Sequence, residues 1–518
     1  MSIHRGTSYA DLIVSALNAG GERTAFVCDG RRLSYAHVAD RVARMASALS
    51  RLGLRRGEGV AVLGPNSPEV WMAHAAAMVL GCHYTPLHPL GSTDDHAFVS
   101  DDSEAAMLVV GPDFAGRAAE IRAAAPSVRN VLTLGPGGDH PDLLALADRE
   151  PATALTAVAE ESDLAALPFT GGTTGRPKGV MLPHRSLVHN AWMTLAHWQL
   201  PHEVRLLAAT PISHGAGPLV VPTLMRGGTV VLIPGFDPER YVDTVARERI
   251  TFTFLVPTMI YTLLDRAALD PSALASLETV VYGAAPMSPS RLAQAVELMG
   301  RKFLQLYAQT EAPNTVTALL KEEHDPDRPD LLGSCGRPLA GVDVALLDEQ
   351  GVAVEPGGVG EICVRGKLVM DGYWRRPELT AEVLRDGWLH TGDMARADAQ
   401  GYLSIVDRKK DMIVSGGFNV YPREVEDVLV THPAVANAAV IGVPHERWGE
   451  AVTAVVRLRD GTPCSEAELI ALVRERKGPV QAPKAVEFVD DLPLTPLGKV
   501  DKKALRAQYW VGRERAVN

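Results

Sequence analysis

A layered α/β protein with largely parallel sheets, ending in a short β-rich segment and a small α+β unit, is the architecture this sequence predicts. Three observations carry it. Short apolar runs rich in β-branched residues alternate with amphipathic helical stretches as far as Val342. Beyond Val342 the pattern changes to short strands separated by Gly and Pro turns. A charged run, Asp407-Arg408-Lys409-Lys410-Asp411, then precedes a final stretch with its own α+β pattern. The 518 residues are also too many for one compact core.

Each element has a local reason. The spacing of Val38, Val42, Met45 and Leu49 predicts a helix over 35–52, with Ser34 as its N-cap. Residues 59–63 follow it as a buried strand. Further strands are expected at 107–110, 131–133, 206–209, 229–233, 251–255, 279–282 and 303–306, with helical stretches between most of them. In sheets of this kind, ligands gather at loops beyond the carboxyl ends of the strands. The later β structure is expected at 342–347, 360–365 and 402–406. The last unit has helices at 422–430 and 465–476, the second with a capping box of Ser465 and Glu468, and strands at 438–441, 451–458 and 485–489. The expected division is a large unit over 1–408, a hinge at 409–411 and a small unit over 412–518. No internal repeat interrupts the pattern, and Gly135 to Gly138 reads as a surface turn.

The composition excludes several classes. With 46% hydrophobic and 22% charged residues the chain is an ordinary globular one, and its formal net charge of −11 argues against nucleic acid or an anionic membrane as the main partner. The five cysteines, Cys28, Cys82, Cys335, Cys363 and Cys464, are widely spaced and form no C-x-x-C pair, so they read as reduced thiols rather than a disulfide or zinc framework. The beginning, Met1 to Gly6, is polar, and apolar runs such as 70–80 are too short to span a bilayer. No membrane span and a cytoplasmic location are therefore expected.

The strongest local signal is Phe169-Thr170-Gly171-Gly172-Thr173-Thr174-Gly175-Arg176-Pro177-Lys178-Gly179, which follows an apolar segment. Glycines let backbone N–H groups approach an anion closely, threonine hydroxyls add donors, and Lys178 adds positive charge. A triphosphate suits such a loop. It is not a Walker loop, because Lys178 stands between Pro177 and Gly179 rather than before Ser or Thr. By composition alone a solvent-exposed Gly/Thr turn fits as well.

This loop, ending in Pro-Lys-Gly, resembles the signature of the adenylate-forming superfamily of acyl-CoA synthetases, firefly luciferase and peptide-synthetase adenylation domains. The resemblance continues in order from about Leu33 to Leu505 and is closest to the acyl-CoA ligases. It implies that Thr170, Gly171, Gly172, Thr173, Thr174, Gly175 and Lys178 hold the phosphates of ATP. Gly283-Ala284-Ala285-Pro286 matches the segment that lies against adenine. Tyr307-Ala308-Gln309-Thr310-Glu311 matches a segment in which Tyr307 packs on adenine, Thr310 contacts phosphate and Glu311 holds Mg²⁺, a hard-oxygen role suited to a carboxylate. Asp393, in Trp388-Leu389-His390-Thr391-Gly392-Asp393, would accept the ribose hydroxyls, with Arg408 as a second ribose contact and Ile405 beside the nucleotide. Lys410 falls at the hinge position. Alone, the basic run around it fits a solvated linker equally well.

Lys499, in Thr495-Pro496-Leu497-Gly498-Lys499, is the residue that the resemblance places between the substrate carboxylate and the α-phosphate. Two anions repel, and a compact cation between them stabilises their approach. Thr174, Glu311 and His214 complete the implied catalytic set. Because Lys499 is far in sequence from the phosphate loop, closure of the small unit would assemble the site. Ser415-Gly416-Gly417-Phe418 resembles the loop that lines the pantetheine tunnel for coenzyme A. No protein nucleophile is required, since the thiol itself attacks the acyl-adenylate. The implied acyl pocket comprises His214, Gly215, Gly283, Tyr307, Ala308 and Ala312. No Asp stands in 211–217 to hold an α-amine, which disfavours an amino-acid substrate.

The implied function is activation of a carboxylic acid by ATP to an acyl-adenylate, followed by transfer to coenzyme A with release of AMP. The sequence departs from the family pattern at Gly171, where Ser is usual, at Ala308, where Gly is usual, and at 479–484, which lacks the usual Tyr-Lys. These changes bear on adenylation. They leave open an enzyme that takes a preformed acyl-adenylate, and loading of a carrier protein is a further alternative. A dimer is compatible with the sequence.

Overall fold

Alternating burial along the strands sets the layers of this computed structural model, which describes residues 6–170, 177–266, 270–408, 411–415, 418–445, 448–459, 461–494 and 500–510. In the strand Gly59–Leu63, Val60 and Val62 face one core while Ala61 and Leu63 face another. Both faces of this strand are therefore covered, as its unbroken apolar sequence requires.

Two largely parallel sheets dominate. One has nine strands and centres on Thr24–Cys28, Thr229–Leu232, Arg205–Ala208, Phe252–Leu255, Thr279–Gly283 and Phe303–Gln309, all paired in parallel. The other has six strands and centres on His83–Leu87, Gly59–Leu63, Ala105–Val110 and Asn130–Thr133. Between them lies a layer of helices, Tyr9–Gly20, Tyr35–Arg51, Pro68–Val79, His184–His197 and Gly217–Met225, whose apolar residues form one core with both sheets. Helices Pro238–Glu248, Pro257–Leu264 and Pro289–Met299 cover the outer face of the first sheet. Thr93–Asp102 and Ala115–Ala124 cover that of the second. Each fully buried Leu or Val side chain contributes about 1.5–3 kcal/mol by leaving water.

The expected elements form within a few residues of their sequence positions. The Tyr35–Arg51 helix is capped by Ser34, whose side chain accepts the His37 N–H. The Glu466–Lys477 helix has the capping box of Ser465 and Glu468. The β-rich segment is an antiparallel sheet of Asp343–Leu347, Val359–Arg365, Leu384–Arg385, Trp388–Ala397 and Leu403–Arg408. Its last strand runs into the charged run, so Asp407 and Arg408 belong to the sheet rather than to a linker.

The small carboxyl-terminal domain has its own core. Val425, Leu429, Val440, Val452, Leu469 and Val473 pack between its sheet and its two longer helices. Polar ties join it to the large domain. Arg396 Nη1 lies 3.0 Å from Glu424 Oε1, and the Arg423 N–H donates to Asp407 Oδ2 at 2.9 Å. Burial raises the Asp407 carboxyl to about 6, against the nearby Lys502 ammonium, which pairs with Glu426 at 2.7 Å. No helix among the described residues is long and apolar enough to cross a membrane.

Candidate active site

The end of the strand Phe303–Gln309 in the nine-stranded sheet meets the antiparallel sheet at Asp393. The strand Phe303–Gln309 pairs antiparallel with Ala312–Leu319, and Gln309 faces Ala312 across the ladder. Thr310 and Glu311 are therefore the tip of a tight hairpin. The same strand carries Tyr307, whose hydroxyl donates to Asp393 Oδ2 at 2.8 Å. Gln309 Nε2 donates to the same oxygen at 2.7 Å and to the Thr391 carbonyl at 2.9 Å. Arg408 Nε lies 3.2 Å from Asp393 Oδ1. Asp393 is buried, and its carboxylate collects three donors from two sheets. Burial and the Asp393 charge together push the Tyr307 phenol well above its ordinary range.

Register explains why Arg408 and Ile405 come together. Asp393 pairs with Arg408 and Ala395 with Ile405, with an irregularity between them. Asp393 and Ala395 are two residues apart and share a face, so their partners share it too.

A second cluster adjoins the first. Phe169–Thr170 and Lys178–Gly179 form a short antiparallel pair that carries the glycine-threonine loop. The Lys178 ammonium stands 3.6 Å from the centre of the Tyr373 ring. The Tyr373 hydroxyl donates to Glu311 Oε1 at 2.7 Å. Tyr373 thus joins the lysine after the loop to the carboxylate at the hairpin tip. Burial pulls the Lys178 ammonium below its usual range, and Glu311 and Glu382 oppose that shift. Thr170 Oγ1 is buried with no hydrogen-bond partner among the described residues.

The remaining expected residues fall as follows. Gly283 ends the strand Thr279–Gly283, and a Cβ there would stand 2.5 Å from the Leu306 carbonyl, so the packing of adjacent strands demands glycine whether or not a ligand is present. Ala284, at φ +65°, and Pro286 are exposed, with Ala285 half-buried. Ala308 and Thr310 are half-buried and Ala312 is buried. His214 is exposed on the loop after Arg205–Ala208, and Gly215 backs onto Phe254. Ser415 is buried, whereas Phe418 is 60% exposed. Gly171, Gly172, Thr173, Thr174, Gly175, Lys410, Gly416, Gly417 and Lys499 lie outside the described residues.

Sequence reasoning missed two contributors. Tyr373 follows a glycine in Gly372-Tyr373-Trp374, a local pattern that carries no charge to draw notice. Glu361 is buried behind Asp393. Its Oε1 accepts the Gly392 N–H at 2.8 Å, and its Oε2 lies 3.1 Å from His390 Nδ1. This carboxylate fixes the turn that delivers Asp393, where Gly392 has φ +74°.

The family model for AMP-binding enzymes matches residues 14–374, and that for the AMP-binding enzyme C-terminal domain matches 424–499. The chain is 45% identical to the medium/long-chain-fatty-acid–CoA ligase FadD8 of Mycobacterium tuberculosis, over 99% of this chain and 92% of the relative. It is 41% identical to a feruloyl-CoA synthase of Amycolatopsis, over 94% of this chain and 96% of that one. Among solved structures, the amide bond synthetase McbA of Marinactinospora thermotolerans superposes with a TM-score of 0.89 at 38% identity, covering 97% of this chain and 99% of that one. With both family models matched in order over an α/β large domain and a smaller carboxyl-terminal domain, the chain belongs to the AMP-binding, adenylate-forming enzymes and is an AMP-forming ligase of the acyl-CoA ligase kind.

Proposed function

We propose that this protein is an acyl-CoA ligase for a monocarboxylic acid with an uncharged tail. The observation that carries the reading is the Asp393 carboxylate, held by Tyr307, Gln309 and Arg408 beside the Glu311–Tyr373–Lys178 array. A ribose diol needs a buried anionic acceptor, and a triphosphate needs cations and a metal-holding carboxylate next to it. Within 209–217, 283–286 and 307–312 the ionisable side chains are His214, Tyr307 and Glu311 alone. No cation there would pair a second carboxylate, and no added Asp would pair an amine. Similarity to a fatty-acid–CoA ligase and a feruloyl-CoA synthase supports the same substrate class.

The residues would work as follows. Asp393, with Arg408 turned aside, takes the ribose hydroxyls. Ile405 and Gly283 to Pro286 flank the base. Thr170 to Gly175 and Lys178 hold the phosphates, and Thr310 reaches the α-phosphate. Glu311 fits a Mg²⁺ site, being a hard-oxygen ligand at a hairpin tip that leaves the other positions to phosphates and water. Bound Mg²⁺ would neutralise charge building on the departing pyrophosphate. The substrate carboxylate oxygen attacks the α-phosphorus and pyrophosphate leaves with the electron pair of the broken P–O bond. Lys499 sits between the two anions in this step. In the second half-reaction the small domain, 412–518, turns about 409–411 and brings Ser415 to Phe418 to the coenzyme A tunnel. The thiol sulfur attacks the acyl carbon, its proton passes to solvent, and AMP leaves with the electrons of the broken C–O bond.

A second reading concerns the acceptor. Similarity to an amide bond synthetase favours testing an amine beside the thiol, and a carrier-protein phosphopantetheine is the other thiol to test. The deciding experiment incubates the protein with ATP, Mg²⁺, coenzyme A and octanoate, laurate or ferulate, and follows pyrophosphate and acyl-CoA by mass spectrometry. Formation of acyl-CoA with stoichiometric pyrophosphate is expected. Neither product from any acid refutes the reading. Pyrophosphate with an amide or carrier thioester but no acyl-CoA moves the acceptor.

A further inference from the structure

His88 stands at the carboxyl end of the strand His83–Leu87 in the six-stranded sheet, and His214 on the loop after Arg205–Ala208 in the nine-stranded one. The two imidazoles meet across the junction of the sheets, with ring centres 6.0 Å apart and planes at 89°. From this geometry we propose that His88 is a positioning residue for the acceptor half-reaction: a ring brought from the second sheet that sets the orientation of His214 at the carboxylate end of the acyl pocket. The proposal rests on the acyl-CoA ligase reading given above.

The setting of His88 is built. Its Nδ1 accepts the Leu90 N–H at 3.2 Å, so the neutral ring carries its proton on Nε2. Its carbonyl oxygen lies 2.9 Å from the Gly91 nitrogen, which donates, and 2.9 Å from His96 Nε2. Arg117 donates to the Gly91 carbonyl at 3.1 Å and closes the turn from a third side. The ring therefore has little freedom to swing away.

The facing loop is equally fixed at its base. Asn66 Oδ1 accepts the Ile212 N–H at 2.7 Å, and Asn66 Nδ2 donates to the carbonyls of Ala208 and Thr210. Thr210 Oγ1 and Ser213 Oγ are buried without a hydrogen-bond partner among the described residues. Two orphaned hydroxyls on the loop that carries His214 point to a surface completed by a ligand.

The charged groups facing His88 are His214 and His96, and His96 in turn feels Arg117 and Asp95. Burial lowers His88 to about 4, with His214 and His96 adding repulsion. Near neutral pH it is an uncharged, donor-bearing wall. It takes no proton in the reaction. Its effect is to restrict the orientations open to the His214 ring while the thiol attacks. Adenylation draws its charge stabilisation from Lys178, Glu311 and Lys499 at the phosphate side, so it depends less on this contact than transfer does.

The test uses full-length wild type, His88→Ala and His88→Asn. Acid-dependent ATP–pyrophosphate exchange reads the first half-reaction. Single-turnover transfer from the bound acyl-adenylate to coenzyme A reads the second. Exchange and the KM for ATP should stay within about twofold in both variants, while transfer by His88→Ala falls about tenfold. His88→Asn, which keeps a side-chain N–H, should recover part of the rate. Transfer with unchanged rate overturns the proposal. So does a parallel fall of exchange and transfer in both variants, which would mark a purely structural role. A wild type that exchanges no pyrophosphate with any acid removes the ligase reading itself, and this proposal with it.

Discussion

Replacing Asp393 by Asn keeps the size of the side chain and removes its charge, which isolates what the carboxylate does. In the structure Oδ2 receives Tyr307 and Gln309, and Oδ1 faces Arg408 at 3.2 Å. The Asn oxygen can keep the Oδ2 pair, but its NH₂ then points at another donor. Arg408 is half-exposed and recovers water, so the stability lost from that pair is small, about 1 kcal/mol. The nucleotide loses more. A ribose diol offered one neutral oxygen instead of two charged ones loses one charge-assisted hydrogen bond and weakens another, about 2–4 kcal/mol in all. That is about 30-fold to 1,000-fold in affinity. Isothermal titration with AMP, alongside thermal melts, separates the two effects. A variant that binds AMP within about threefold of wild type while melting normally would refute the placement of the ribose at Asp393.

Further outcomes follow from particular groups. Lys499→Ala should lower acid-dependent pyrophosphate release by about a hundredfold or more and leave the circular dichroism spectrum unchanged, and undiminished release would remove Lys499 from the chemistry. Gly217→Ala should cost both stability and activity, because a Cβ there would stand 2.1 Å from the Ile212 carbonyl on the His214 loop; a soluble variant with a wild-type denaturation midpoint would contradict this. Acid should destabilise the fold through buried neutral histidines. His74 is lowered to about 3 and His184 to about 4 by burial, and the unfolded chain takes up protons at about 6.5, so stability is full above about pH 6.5 and falls as pH drops toward those values. Each such ring contributes at most about 1.4 kcal/mol per pH unit in that window. Urea melts at about pH 7 and pH 5 check it, and His184→Gln should flatten the dependence.

Much of the fold was legible because its causes are local. The cap of Ser34 on the Tyr35–Arg51 helix, the unbroken apolar strand Gly59–Leu63 and the capping box of Ser465 and Glu468 all form where their own residues dictate. The proposed nucleotide-side residues stood out for another reason. Gly283 and Tyr307 to Glu311, at the ends of adjacent strands, and Asp393, within the strand Trp388–Ala397, follow the order of the family's motifs along the chain.

By itself, then, the sequence determined the alternation of strands and helices, the change of pattern after Val342 and which side chains bear charge at the strand ends. Only the tertiary structure decided what those side chains meet. The strand Thr24–Cys28 enters the large sheet beside Thr229–Leu232, a pairing that no local period encodes. Tyr373 reaches Glu311 and Lys178, Glu361 holds the turn before Asp393, and His88 faces His214 from a different sheet. Local rules act over a few residues through backbone geometry and burial. A contact between distant residues is selected by the packing of whole layers, and a tyrosine, glutamate or histidine looks the same in sequence whether or not it makes one.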